Sequence, residues 1–347
     1  MDTIVDNLKE VQPEIFSTVP RLLEKVYDRI VAKGNEQKGI KKKLFFWALD
    51  LGLKYELNGA NGWFYEFKLK IARKLIFSKW KEALGGKVVA IVSGGAALQP
   101  RLSRVFFAAG INVLEGYGLT ETSPVIAVNN FLPNSICFGT VGPVIDKVSV
   151  KFAEDGEILV KGPNVMLGYY NRPDATAEAI DADGWFHTGD IGTFVDNRFL
   201  KITDRKKEIF KTSGGKYITP VMIENKLKES PFIEQVMVVG ENQKFPSALI
   251  VPAFSYLKDY CKLKNIEYGS NEEIIKNDVI KKRIFQEIEM LNKELAQYEK
   301  IKAPELLSRE WTIEKNELTP KLSLKRKVIL AENKALIDKI YQEKTKS

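Results

Sequence analysis

Glu115-Gly-Tyr-Gly-Leu-Thr-Glu-Thr-Ser-Pro124 packs two carboxylates, an aromatic ring and several hydroxyls into one short stretch. Thr120 can donate its hydroxyl to a phosphate oxygen. Glu121 is the oxygen ligand that a hard cation prefers; it is equally an acid suited to the first turn of a helix, near the positive dipole end. Thr188-Gly-Asp190 adds a carboxylate able to accept two hydrogen bonds from vicinal ribose hydroxyls, and such charge-assisted bonds are the strong ones. Standing alone, the tripeptide is also a common turn. Further along, Asp204-Arg-Lys-Lys207, Lys211, Lys216 and Thr319-Pro-Lys-Leu-Ser-Leu-Lys-Arg-Lys327 gather cations, which attract phosphates of any kind, although surface lysines and a basic connector account for them as well. His187 is the only histidine. That removes most zinc sites and most histidine acid–base schemes, so chemistry here rests on charge stabilisation and positioning around anions.

Composition bounds the rest. The 347 residues allow two or three domains, with ordinary hydrophobic and charged fractions of 44% and 28%. A net charge of +8 fits nucleotides, coenzyme A or anionic lipids. No zinc-finger spacing or RNA-binding signature is present, so no nucleic-acid partner is expected. Cys137 and Cys261 stand apart and read as core fillers in a reducing compartment. No apolar run approaches a membrane span and the first residues lack a signal pattern. A cytoplasmic protein is expected, with peripheral contact at the inner face of a membrane as an added expectation.

The elements that must position these residues follow from periodicity. Residues 1–80 read mostly as helix: Thr18-Val19-Pro20 starts one whose stripe is Leu22, Leu23, Val26, Tyr27 and Ile30, with Gly34 at its end. Lys41 to Trp47 is basic, then aromatic. Such a helix either lies in a membrane interface or packs its aromatics inward, and the inward reading carries more weight. A further helical pattern runs from Trp63 to Trp80. Lys87 to Val92 is an apolar strand covered on both faces, Gln99 to Ala109 a helix closed by Gly110, and Ile111 to Leu114 a strand, together a parallel strand–helix–strand unit. Ser93–Ala96 and Gly116–Gly118 therefore follow the carboxyl ends of strands, where open parallel sheets bind ligands. Residues 136–203 carry short strands and frequent turns, including a hairpin about Asp155-Gly156, as in a small distorted barrel. From Asp204 a small α+β unit begins. Thr219-Pro220 caps a helix to Ser230, Gln235–Val239 and Ala248–Val251 are strands, and Ile274 to Leu295 forms one long helical stripe. The expected domains are thus 1–135 (part of a large α/β domain), 136–203 (a β-barrel-like subdomain) and 204–347 (a mobile α+β domain).

Ser93-Gly-Gly-Ala-Ala-Leu98, Glu115 to Pro124, Gly168-Tyr-Tyr-Asn-Arg-Pro173, Asp183-Gly-Trp-Phe-His-Thr-Gly-Asp190, Asp204 to Lys211 and Gly214-Gly-Lys-Tyr-Ile-Thr-Pro220 occur in one order. Together they resemble the AMP-forming acyl-CoA synthetases, above all the long-chain fatty-acid branch, over residues from about 11 to 330. The resemblance implies that a fatty acid attacks the α-phosphorus of ATP with Mg²⁺ present, releasing pyrophosphate and leaving an acyl-adenylate, from which the thiol of coenzyme A displaces AMP to give the thioester. It implies that Gly94, Gly95, Ala96, Glu115, Gly116, Tyr117, Gly118, Thr120, Asp190 and Arg205 contact the nucleotide. Tyr117 takes the place of the family's aromatic beside adenine; a core tyrosine at a sheet edge is its bland reading. By the same resemblance Glu121 holds the metal, Lys207 is a hinge, and Lys211 and Lys216 face phosphate or coenzyme A. A late lysine bridges the carboxylate and the AMP phosphate; Lys325 is favoured by spacing and Lys321 competes. Gly94, Gly95 and Gly116 border the acyl channel, while His187 and Trp185 are expected to be structural.

One departure matters. No Ser/Thr/Gly-rich loop ending in Pro-Lys-Gly, which that family carries, lies in these residues. The expected fold is an incomplete adenylate-forming architecture lacking early strands, with the Lys87 strand short of neighbours and its edge exposed. Three functions follow: a portion of a long-chain acyl-CoA ligase, inactive or weak alone; a non-catalytic module binding nucleotide or coenzyme A; or a membrane-surface protein using its basic helices.

Overall fold

The computed structural model describes residues 4–343, which fall into two compact units that divide between Ile202 and Thr203. The first unit opens with α1 (Ile4–Val11) and a four-residue strand β1 (Ile15–Thr18), then α2 (Pro20–Glu36) and α3 (Gly39–Leu53). Pro20 sits at the first turn of α2, where its missing N–H costs nothing. Leu22, Leu23, Val26 and Tyr27 are buried along its inner face. Gly34 does not end this helix. It lies inside, where an added Cβ would overlap the ring of Phe45 from α3.

The aromatics of α3 turn inward, with Phe45 buried and Phe46 and Trp47 packed on the same core. The Trp63–Trp80 pattern is α4 (Trp63–Ala72), one π-helical turn and α5 (Ser78–Ala83). Strands β2 (Ala90–Ser93) and β3 (Asn112–Gly118) flank α6 (Pro100–Ala108), and β4 (Val125–Val128) follows. The sheet order is β1-β2-β3-β4, the first three parallel and β4 antiparallel to β3. The Lys87 region therefore supplies an interior strand, not an exposed edge, because Ile15–Thr18 pairs with it. The reading of residues 1–80 as mostly helix missed β1, whose half-exposed Ile-Phe-Ser-Thr is too short to show a period.

A second sheet, β5-β6-β7-β8, is built from β5 (Ser149–Phe152), β6 (Glu157–Lys161), β7 (Phe186–Val195) and β8 (Phe199–Arg205), with α7 (Pro173–Ala179) between β6 and β7. The Asp155-Gly156 turn joins β5 to β6 with Gly156 at φ +84°. Asp196 and Asn197 both take positive φ between β7 and β8, as a two-residue hairpin turn requires. Ile126, Ile158, Val160 and Leu200 form the core beneath.

The second unit holds a small hairpin of β9 (Phe210–Lys211) and β10 (Tyr217–Ile218), then α8 (Pro220–Leu227), β11 (Ile233–Val239), β12 (Ser247–Pro252) and α9 (Phe254–Lys264). After α10 (Asn271–Ile274), α11 (Asp278–Asn292) and β13 (Glu305–Leu306), α12 (Arg326–Glu332) and α13 (Lys334–Glu343) close the chain. Thr219 is the cap residue of α8, yet its side chain makes no capping bond. The Ile274–Leu295 stripe is not one helix. The Asn277 side chain accepts from the Val279 and Ile280 N–H groups and starts α11 afresh. Cys261 is fully buried in this unit's core, and Cys137 is half-buried in the first unit. No helix among the described residues is long and apolar enough to cross a membrane.

Candidate functional site

Parallel pairing sets the first part of the site. Ser93 stands beside Glu115 in the register of β2 and β3, so both strands release their loops at the same level. A Cβ on Gly94 would lie 3.4 Å from the Gly116 carbonyl oxygen, so the two glycine loops run side by side. Gly118 has no room for any side chain, because a Cβ there would overlap the Pro124 carbonyl. Gly95 and Ala96 are exposed at the loop tip.

Tyr117 leaves the end of β3 and donates its phenol to Oδ2 of Asp190 at 2.7 Å. Those residues are 73 positions apart and come from different sheets of the first unit. Asp190 is 5% exposed. Its own N–H donates to Thr188 Oγ1 at 3.2 Å, and that hydroxyl donates to the Ile158 carbonyl at 2.8 Å. A residue outside the sequence-level set completes the support. Glu157, buried on β6, accepts the Gly189 N–H at 2.9 Å and meets His187 Nδ1 at 3.2 Å. The sequence placed Glu157 at the start of the strand after the Asp155-Gly156 turn, and the pairing of that strand with β7 sets Glu157 opposite Ile191. His187 lies between Glu157 and Asp181 (3.9 Å), a structural place. Trp185 packs under Lys151, whose ammonium is 4.3 Å from the ring centre.

Glu121 occupies a single 3₁₀ turn, Thr120–Thr122, rather than the first turn of a longer helix. Thr122 pins that turn, with its hydroxyl donating to the Pro124 carbonyl at 2.6 Å and accepting from the Leu119 N–H at 3.0 Å. Thr120 is exposed. Oε1 of Glu121 accepts the phenol of Tyr169 at 2.9 Å, and its carbonyl accepts the Met166 N–H at 2.8 Å. The Gly168–Pro173 motif is thereby tied to the same turn. No group of three or more acidic, histidine or cysteine side chains able to cage a metal occurs among the described residues. One half-exposed carboxylate suits an ion that keeps most of its shell of water and phosphate oxygens, as Mg²⁺ does.

Glu115 differs. Its carboxyl turns inward, accepts the Ser103 hydroxyl at 3.2 Å and is only 6% exposed. Burial pushes its pKa up to about 8, against the lowering effect of the Ser103 hydroxyl and the Leu98 amide. Beside it the Ser93 hydroxyl is buried with no hydrogen-bond partner. The Glu115 side chain thus belongs to the core; its carbonyl accepts the Asn129 N–H.

The remaining candidates lie in the second unit. Arg205, Lys206 and Lys207 are exposed at the end of β8. Lys211 and Lys216 are exposed on the small hairpin and sit over aromatic rings, Lys211 5.4 Å from Tyr217 and Lys216 5.7 Å from Tyr298. Lys325 caps α12, with its N–H on the Glu317 carbonyl at 2.7 Å and its ammonium on Asn316 Oδ1. Lys321 is exposed in the preceding turn. Sequence reasoning missed Arg326, which is half-buried against Glu208 and Glu224; a basic run gives no sign of which cation turns inward.

This sheet arrangement with a separate α+β unit is the architecture of adenylation domains, in partial form. The adenylation domain of a carboxylate reductase from Mycobacterium chelonae superposes with TM-score 0.73 at 22% identity, over 98% of this chain and 48% of that one. That of the carboxylic acid reductase from Segniliparus rugosus, solved with AMP and a co-purified carboxylic acid, gives 0.72 at 20% identity, over 98% and 49%. The AMP-binding enzyme family model matches residues 1–170, and the AMP-binding enzyme C-terminal domain model matches residues 207–345. The chain belongs to the AMP-binding enzyme family. It is 34% identical over 336 residues to the long-chain-fatty-acid–CoA ligase FadD15 of Mycobacterium tuberculosis, covering 96% of this chain and 55% of that protein. It is 36% identical over 359 residues to long-chain-fatty-acid–CoA ligase 1 of Homo sapiens, covering 97% and 49%. The chain spans about half the length of these curated relatives.

Proposed function

We propose that this chain is the nucleotide-handling part of a long-chain fatty acid–CoA ligase, an AMP-forming acid–thiol ligase. The observation that carries this reading is the bond between Tyr117 and Asp190, with Glu121 four residues from that tyrosine on a pinned turn. Tyr117 offers a ring face to adenine, and Asp190 accepts the ribose hydroxyls. Thr120 donates to a phosphate oxygen, and Glu121 holds Mg²⁺ against the phosphates. Electrostatic stabilisation of the phosphoryl transition state is the chemistry such groups supply. Arg205 contacts the nucleotide, Lys207 is the hinge, and Lys211 and Lys216 face coenzyme A or phosphate. Lys325, a mobile point charge on a flexible stem, bridges carboxylate and phosphate during adenylation, ahead of Lys321. Gly94 and Gly95 let backbone approach the ligand, as do Gly116 and Gly118, Ala96 stands beside the nucleotide, and Glu115 takes part through its backbone.

No Pro-Lys-Gly-ended phosphate loop occurs in these 347 residues, so the chain alone is proposed to bind AMP weakly and turn over little. Isothermal titration with AMP tests the site. Thioester formation from palmitate, ATP and coenzyme A, with the remaining part of a relative supplied, tests the reaction. AMP binding without any thioester in that complemented assay favours the alternative of a non-catalytic nucleotide- or coenzyme-binding module. Absence of AMP binding sinks both.

A peripheral membrane contact is proposed at α4, not at the Lys41–Trp47 segment, whose aromatics are taken up by the core. Trp63 (82% exposed), Phe64, Phe67 and Ile71 of α4 are exposed, as is Leu75 in the π-helical turn that follows. Lys70 and Lys74 flank them, and the Lys68 ammonium lies 4.2 Å over the Phe64 ring. Aromatics with a cationic rim suit an anionic lipid interface. Sedimentation with phosphatidylcholine vesicles, with and without phosphatidylserine, should show binding that needs the anionic lipid and is lost in Trp63→Ser/Phe67→Ser. Equal binding by that variant would remove the assignment.

A further inference from the structure

Arg326 is the first residue of α12, directly after Lys325. The two neighbours point to different environments. The Lys325 ammonium rests on Asn316, whereas the Arg326 side chain is only 15% exposed. Arg326 Nε donates to Glu208 Oε2 at 3.0 Å. Nη2 reaches both carboxylate oxygens of Glu224 on α8 at 2.7 Å, and Nη1 donates to the Val238 carbonyl on β11 at 3.4 Å. Glu224 is fixed in turn by the Val238 N–H at 2.7 Å. Glu208 belongs to the turn that carries Arg205 and Lys207, since the Glu208 and Ile209 N–H groups both donate to the Arg205 carbonyl, at 2.9 and 3.2 Å. One planar fork of donors thus joins three segments far apart in sequence, a task for which lysine lacks the geometry.

We propose that Arg326 is a positioning residue that fastens the Lys325 turn to Glu208, the residue directly after Lys207, so that Lys325 moves as one rigid piece with the part of the second unit that follows Lys207. This rests on the reading of Lys207 as hinge and Lys325 as the adenylation lysine. If those roles hold, a rotation at Lys207 carries Lys325 with it instead of leaving the lysine on a loop that moves independently.

The cluster carries the cost expected of such a clamp. Asp204 is 2% exposed, its Oδ1 accepts the Arg205 N–H, and its Oδ2 has no hydrogen-bond partner. The charges facing it are Glu208, Glu224 and Arg326, and Lys228 also acts on Glu224. Burial raises the Asp204 carboxyl to about 7, with the two glutamates adding to the shift and Arg326 opposing it. For stability alone, an apolar replacement of a buried ion pair commonly does as well. What this pair adds is geometry: a fixed separation between Glu208, next to Lys207, and the turn that carries Lys325.

The test is hydrogen–deuterium exchange on the full chain, with reductive methylation of lysines read peptide by peptide. Arg326→Lys keeps the charge but loses the fork. Glu208→Gln removes only the charge on the hinge-side partner, and it decides the matter if Arg326→Lys fails to fold. In both variants, exchange should rise about tenfold in residues 204–210 and 318–328 together, the size expected for losing a charge-assisted bond. Methylation of Lys325 should rise relative to Lys321, while β11 and β12 keep their protection. A rise in only one of the two segments, no rise in either, or a uniform rise through the second unit would overturn the proposal. None of these readouts involves nucleotide, so the clamp can fail while AMP binding stands, and the ligase reading can fail while the clamp stands.

Discussion

The phenol of Tyr117 donates to the carboxylate of Asp190 at 2.7 Å and so ties the end of β3 in the first sheet to β7, an inner strand of the second sheet, in the first unit. The bond makes the two residues one unit with separable duties. Asp190→Asn keeps the shape but removes the negative acceptor, and charge-assisted bonds are worth about 1.5–3 kcal/mol. AMP affinity should therefore fall about tenfold or more. Tyr117→Phe keeps the ring face and loses only the hydroxyl. It should cost about 1.5–3 kcal/mol of stability with a much smaller change in AMP affinity. Titration calorimetry and urea unfolding separate the two, and equal loss of affinity in both variants would contradict the division.

Glu157 should matter to the nucleotide without touching it. Its two oxygens are spent on the Gly189 N–H and on His187, the residues just before Asp190. Glu157→Ala leaves a buried N–H unsatisfied, which costs about 1–3 kcal/mol, and lets the Thr188–Asp190 turn relax. Stability and AMP affinity should fall together. Glu157→Gln retains an acceptor for Gly189 and should recover most of both.

These relationships show what could be read in the chain. The strand–helix–strand about Ser93 and Glu115 was legible because long apolar runs and Gly110 declare their ends locally. Asp190 and Tyr117 were legible as residue types in motifs, and only their bond needed coordinates. Strand β1 was not legible, because four half-exposed residues show no period and gain their structure from pairing with Ala90–Ser93. The Ile274–Leu295 stripe misled because the Asn277 cap breaks the helix without breaking the hydrophobic spacing. Glu115 misled for another reason: strand alternation decides which way a carboxylate points, and here it points at Ser103.

That inward carboxyl gives the first unit a pH dependence. The Glu115 pKa rises from 4.5 unfolded to about 8 folded, so between those values the folded chain binds more protons than the unfolded one. Stability is then full below the lower value and falls as pH rises toward the upper one. Asp204, raised from 3.8 to about 7, acts in the same sense in the second unit. Denaturant midpoints should decline from pH 5.5 to pH 8.5. Glu115→Gln, which keeps an acceptor for Ser103 and cannot ionise, should flatten the part of the decline that belongs to the first unit. An unchanged slope would place Glu115 outside the pH response.

Gly34 offers a test in which two known effects oppose each other. Within a helix, glycine to alanine ordinarily stabilises by up to about 1 kcal/mol, and Gly34 lies in the last turn of α2. Here the new Cβ would overlap the buried ring of Phe45, and overpacking costs about 1–3 kcal/mol. The clash should win, so Gly34→Ala should be destabilising by urea unfolding despite its better helix propensity. Phe45→Leu alone should also destabilise, by loss of buried ring area and of the edge contact with Phe46. The double variant should be more stable than the sum of the two singles implies, because leucine vacates the space that alanine needs. Additive singles would mean that α2 and α3 separate freely at this contact, contrary to the packing that buries Phe45.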